Sequence, residues 1–283
     1  MTALETAGRR ADGREPVRPD AAGRVRALPR QRRHTLHFLS GIRSFAPVFL
    51  DTEIDMTAVL AHRSAARAAG RRYSLVTYVL HAASRAMVAH PAANAAISGR
   101  LRPKIARYPA ASGKLAFDSA LDGERVVLSA VFPDLDRSDL DQIQDRLDRV
   151  RRAEPGRAAE FAGAVGLGRL PVPLGRWVSR AALRSLRRRP AIMGTFAVSS
   201  LGHRPVDGFH SVGGTTVTLG VGRVADRPVV RGGAVAVAPV MRLSLAFDHR
   251  VIDGAEAADL LGDVKDGLER FGPDTAATGA GPA

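Results

Sequence analysis

The hydrophobic spacing changes its period at a histidine. Met241, Leu243, Leu245 and Phe247 alternate with Arg242, Ser244, Ala246 and Asp248, which is the two-residue repeat of a strand. After His249-Arg250-Val251-Ile252-Asp253-Gly254, the residues Ala255, Ala258, Leu261, Val264 and Leu268 take up helical spacing. The stretch must therefore fold as strand, tight turn and helix, with His249 at the corner. A side chain at the rigid end of a buried strand can be held with its ring facing a cavity. A general base needs that arrangement, because its geometry must be set before its pKa matters. An unperturbed imidazole, with a pKa of about 6.5, is largely neutral at pH 7. Most single histidines are structural, however, and Asp-Gly is a common turn, so other stretches must add to the argument.

Composition narrows the field. A chain of 283 residues holds one large domain or two small ones. It has no cysteine, which excludes disulfides, a thiol nucleophile and thiolate metal sites. No metal cluster is visible, and no apolar run reaches the length of a membrane span. The arginine-rich start has no apolar segment behind it, so the expected location is cytoplasmic, with no membrane contact. The net charge is +14, yet aromatics make up only 5% of the chain. No zinc-finger or RNA-recognition signature accompanies the arginines, so no nucleic-acid partner is expected. A CoA thioester or an acidic carrier protein suits such a surface better.

In chain order, residues 1–30 show no apolar period and are expected to be a disordered tail. Residues 30–45 predict a short helix or turn, and Pro47–Met56 a strand. A helix over 57–69 would be capped by Asp55 or Thr57. Ser74 starts a second, strongly apolar helix that Pro91 stops. His62, His81 and His90 lie on or beside these helices as packing or surface residues. One or two strands are expected over 101–120 and another over 126–132. A helix then follows with Ser138 as its cap. The segment 155–190 holds an apolar stretch and a basic helix, RWVSRAALRSLRRRP. GTFAVSSLG at 194–202 reads as strand and turn, TTVTLGVG at 215–222 as strand, and 227–240 as a hairpin around Arg231-Gly232-Gly233. Gly220-Val221-Gly222 lacks the setting of a phosphate loop. A helix over 253–271 precedes a disordered tail, 272–283.

Three of these stretches carry a resemblance. FDHRVIDGAEAADLL closely resembles the active-site segment of the 2-oxo-acid dehydrogenase acyltransferase family. GTFAVSSLG resembles that family's "GTFTISNLG", and TTVTLGVG its "AILGVG". PVFLDTEIDM and HPAANAAI resemble the family's first strand and its "HPELNA" turn. The resemblance covers about residues 45–152 and 191–271 and passes over 155–190. It implies a chloramphenicol acetyltransferase-like fold of α/β class, a two-layer α+β arrangement in which helices pack on a mixed sheet. The catalytic domain would span 31–271.

Carried over, His249 is the general base and Asp253 orders the turn, pairing with Arg32 or Arg33. Ser199, with Ser200 as the neighbouring alternative, donates to the oxyanion. The implied reaction moves an acyl group from a CoA or carrier-protein thioester to a thiol, hydroxyl or amine. The implied assembly is a homotrimer with His249 of one chain facing Ser199 of the next. His203 and Asp207 would line the pocket. Two departures stand out. No lysine sits in a lipoylation-like hairpin, so a lipoyl group would come from another protein. Gly213-Gly214-Thr215 stands where relatives carry a proline turn that shapes the CoA site. The alternatives are a core subunit of a dehydrogenase complex, with its lipoyl domain on another chain, and a non-catalytic trimeric assembly protein. The end of the chain, GPDTAATGAGPA, has no large apolar side chain, so the expected particle is an isolated trimer.

Overall fold

The computed structural model describes residues 27–99, 101–156 and 158–272. The tails expected over 1–30 and 272–283 lie outside these, except for residues 27–30 and 272. Helix α1 (Arg33–Gly41) leads into strand β1 (Pro47–Asp55), helix α2 (Thr57–Ala68) and helix α3 (Leu75–Ala89). Strands β2 (Ala95–Ser98), β3 (Lys104–Arg107), β4 (Gly113–Leu121) and β5 (Glu124–Phe132) follow, then α4 (Leu140–Arg152). Three helices, α5 (Ala162–Arg169), α6 (Val172–Arg184) and α7 (Arg189–Met193), occupy the segment that the resemblance passed over. Strands β6 (Phe196–Ser200), β7 (Val217–Arg231) and β8 (Ala234–Asp248) and helix α8 (Gly254–Glu269) complete the fold.

Six strands form one sheet in the order β1-β8-β7-β6-β4-β5. β6 runs parallel to both β4 and β7, and the other pairings are antiparallel. This is the expected mixed sheet with helices packed on it. One face carries the main core, where Tyr78, Leu80, Ile143, Leu147, Leu260 and Val264 from α3, α4 and α8 meet Leu115, Leu128, Phe196, Leu219, Leu245 and Phe247. The opposite face receives α1, α7 and the connection 201–216. Residues Leu243–Asp248 are therefore buried without exception, although their alternation predicts one wetter face. Ser244 and Ala246 lie beneath protein, not solvent.

Local chemistry accounts for the element ends. The Ser74 hydroxyl accepts from the Thr77 N–H at the start of α3. At α4 the cap is Asp139, not Ser138. Its carboxylate accepts from the Gln142 N–H while the Gln142 side chain returns to Asp139, a reciprocal box that a serine one residue earlier is out of register to make. Ser138 instead donates to the Asp134 carbonyl at 3.0 Å. At α2 the Asp55 carboxylate accepts from the Thr57 N–H at 3.0 Å. The β7–β8 hairpin turns at Gly232 and Gly233, both with positive φ, as its tight turn requires.

The helical histidines are structural. His62 meets the Tyr78 hydroxyl at 2.9 Å. His81 is buried, and burial pushes its pKa down to about 3. His90 ties α3 to α8, with Nδ1 3.2 Å from Glu256 and Nε2 2.9 Å from Asp263. Burial alone would lower its pKa, but hydrogen bonds to Asp263 and Glu256 outweigh that and raise it. A raised histidine contributes fully below its unfolded pKa, and the contribution fades as pH rises through the folded value. His90→Gln should therefore lower the melting temperature more at pH 6 than at pH 9. Equal losses at both pH values would show that the pair of ion contacts contributes nothing.

Candidate active site

His249 sits where β8 ends. Its N–H donates to the Ala46 carbonyl at 2.9 Å, which joins the end of β8 to the residue before β1. The ring lies 5.5 Å from that of Phe247 and is 46% exposed by its side chain. Nδ1 is 3.3 Å from Asp253 Oδ1. Asp253 occupies the cap position of α8 but makes no side-chain cap bond, so its carboxylate is free to orient the imidazole. Its ion pair within the chain is with His249 and not with Arg32 or Arg33. Nδ1 faces the Asp253 carboxylate at ion-pair distance, and among the described residues Nε2 has no hydrogen-bond partner.

The turn is braced by a pair that sequence reasoning missed. The buried Asp248 carboxylate receives Arg250 Nε at 2.8 Å and its terminal nitrogen at 2.5 Å. The same carboxylate accepts the Arg250 N–H at 3.2 Å and the Ala46 N–H at 3.4 Å. The hydrogen bond to Asp248 raises the pKa of Arg250. Opposite charges on either side of the histidine were a readable signal, since an arginine two residues from a buried aspartate can close on it bidentately.

Ser199 occupies the other face of the sheet, level with Gly220 of β7, which is level with Ser244 of β8. The connection 201–216 crosses this face as a strap. The Ser244 hydroxyl donates to the Phe209 carbonyl of the strap. A Cβ on Gly220 would collide with that carbonyl, and one on Gly222 with the carbonyl of Asp207. Here lies the use of the two glycines in TLGVG, which admit close backbone approach and not phosphate. The Ser200 hydroxyl accepts from the Gly202 N–H at 3.4 Å. The half-buried Ser199 hydroxyl has no partner among the described residues, which favours it over Ser200 as a donor for substrate.

Two cations fix the far end of the strap. Lys114 Nζ donates to the Gly213 carbonyl and lies 4.9 Å from the Phe38 ring centre. Arg189 donates to the Gly214 carbonyl at 2.8 Å. Burial, and secondarily Arg189, pushes the Lys114 amine down to about 7. Of the two residues expected to line a pocket, Asp207 has its carboxylate engaged by Arg223 at 2.5 Å and Arg227 at 3.1 Å. His203 is exposed.

Within one chain the two principal residues are far apart. Ser199 is level with Ser244, five residues short of His249 and two strands away. Strand geometry makes this about 17 Å along the strands and about 10 Å across them. A single substrate carbonyl cannot touch both in the same chain.

The comparisons with known proteins agree with this architecture. A family model described as 2-oxoacid dehydrogenases acyltransferase (catalytic domain) matches residues 166–275. Over this stretch the chain is similar to that family's catalytic domain. It is 28% identical over 222 residues to the dihydrolipoyllysine-residue acetyltransferase component of the pyruvate dehydrogenase complex from Bacillus subtilis, covering 77% of this chain and 43% of that protein. The Staphylococcus aureus counterpart is 27% identical over 247 residues, covering 84% and 50%. The chain thus spans about half the length of these relatives. Among solved structures, a probable dihydrolipoamide acetyltransferase from Listeria monocytogenes superposes with a TM-score of 0.67 at 17% identity, covering 90% and 97%. The Azotobacter vinelandii dihydrolipoamide acetyltransferase superposes at 0.66 with 22% identity, covering 91% and 96%. That structure is described as an investigation of a serine, a histidine and an asparagine in its catalytic mechanism, the asparagine four positions after the histidine.

Proposed function

We propose that this chain moves an acyl group from a thioester to a thiol, hydroxyl or amine acceptor, with His249 as general base and Ser199 as oxyanion donor. The observation that carries the proposal is His249 at the anchored end of β8, its half-exposed ring with Nδ1 3.3 Å from Asp253 and Nε2 unpartnered among the described residues. Nε2 takes the acceptor's proton as the acceptor attacks the thioester carbonyl. The negative oxygen then receives the Ser199 hydroxyl bond. Collapse of the intermediate expels the donor's thiolate, which recovers the proton from His249. Asp253 stands four positions after the histidine, where the Azotobacter protein has its asparagine. The intact His249 and Ser199 weigh against a purely architectural role.

The separation of the two residues within one chain supports a shared site, with His249 of one protomer facing Ser199 of its neighbour in a homotrimer. The relatives are components of pyruvate dehydrogenase complexes, so donors should include acetyl-CoA and an acetylated lipoyl domain supplied as a separate protein. No metal enters the scheme.

Mixing inactive chains tests the shared site. Ser199→Ala should lower turnover about 10²–10³-fold, and His249→Ala should be at least as damaging. When equal amounts of the two variants are unfolded and refolded together, about a quarter of interface sites receive both intact residues if assembly is random. Activity should recover to about that fraction. Recovery no better than the average of the two variants would place both residues in one chain's site and refute the arrangement.

A further inference from the structure

Helix α6 presents a face that the acyl-transfer scheme does not use. Arg176, Arg180 and Arg184 recur every four residues along it and are exposed; this spacing places them on one side of a helix. Arg187 and Arg188 continue the row beyond its end. None of the five has a carboxylate partner among the described residues. Trp177, 69% exposed, and Leu174, 47% exposed, lie beside the row. Five cations of one sign around an exposed indole form an anchor with a charged rim. The sequence alone allowed these arginines to be a solvated helix face. The exposed tryptophan among them is the observation that changes this.

The opposite, buried side of the same helix packs on the segment that leads to the proposed site. Gly175 of α6 packs against the His37 ring of α1, and Arg180 donates to the Ser40 hydroxyl at 3.3 Å. Phe38 and Ile42, on and just after α1, touch Gly214 of the strap, and Ala46 accepts from the His249 N–H. A partner seated on α6 is therefore linked to His249 through α1 and residues 42–46.

We propose that the exposed face of α6 is the docking surface of an acidic carrier protein that delivers the acyl group on a thiol arm. This rests on the acyl-transfer reading and names its donor. Charge complementarity selects the partner, and the link to His249 favours a donor protein over a lipid surface.

Trp177 is the single tryptophan of the chain, so its fluorescence reports on this face alone. Titrating the full-length protein with acetyl-loaded acyl carrier protein should shift or quench the emission, and added salt should reverse the change. In steady-state assays, Arg180→Glu combined with Arg184→Glu should raise KM for the carrier-borne acetyl group about tenfold or more. Turnover from acetyl-CoA should stay unchanged. Equal effects on both donors, an effect on neither, or turnover from acetyl-CoA with none from the carrier would overturn the docking proposal and leave acyl transfer standing. So would a Trp177 response to vesicles of phosphatidylglycerol and phosphatidylcholine with none to the carrier, or an indole already shielded from iodide in the free protein. A Trp177 response to the carrier, without turnover from either donor, would support the docking face and strike the acyl-transfer reading instead.

Discussion

His249→Ala should cost about 10²–10⁴-fold in turnover, the usual range for a positioned general base, while the thermal unfolding curve barely moves. The fold should survive because the residue's structural work is done by its main chain. Its N–H bond to Ala46 is retained in any substitution other than proline, and the side chain is half exposed. The Asp248–Arg250 brace holds the turn independently of the ring. Donor KM should change little, since the proton moves only in the transition state. A purified, folded variant that keeps near wild-type turnover, with chemistry shown to be rate-limiting, would remove His249 from the mechanism.

The second large effect concerns Lys114 and runs against intuition, because truncating the residue should help. Its amine is buried on β4 with no carboxylate beside it among the described residues, and burial followed by Arg189 pushes its pKa down to about 7. In the unfolded chain a lysine titrates near 10.4. Between these values the unfolded state holds a proton that the folded state lacks, so stability rises with pH across the window. Full stability is present above the unfolded pKa and is lost as pH falls toward about 7. The slope is at most about 1.4 kcal/mol per pH unit. From pH 8 to pH 10 the melting temperature should climb by roughly 5–10 °C, and Lys114→Met should flatten the climb and raise stability at neutral pH. The window is unusually clean. The chain has only three lysines and three tyrosines, and burial raises the tyrosine pKa values, that of Tyr78 to about 12. An unchanged slope in the methionine variant would mean that Lys114 is not the group responsible. Loss of the Gly213 bond would loosen the strap, so activity should fall as stability rises.

Much of this molecule was legible in the chain because its signals are local. The change of period at His249, the Ser74 cap and the paired glycines at 232 and 233 each specify their own neighbourhood. What escaped was nonlocal. No periodicity shows that a connection 16 residues long will cross the sheet, so the burial of Ser244 and Ala246 beneath it was unreadable. Nor could the register that holds Ser199 away from His249 be read, since it depends on β6 pairing with β7 and β7 with β8. The helices between 155 and 190 had no resemblance to guide them. Ser138 against Asp139 turned on a single residue of register.

The strap grips the sheet through its own backbone. The Phe209 and Asp207 carbonyls rest on Gly220 and Gly222, and the Gly213 and Gly214 carbonyls take the two cations. Tolerance to substitution is therefore lopsided. The glycines underneath admit no side chain, and the Asp207 carboxylate is held by Arg223 and Arg227, whereas the side chains at 203–206 carry little of the anchoring. A protein built this way can exchange the residues over its second face while the frame stays still. Libraries that randomise 203–206 and 210–212, and leave 213–222 untouched, would alter what the face accepts at little cost to folding.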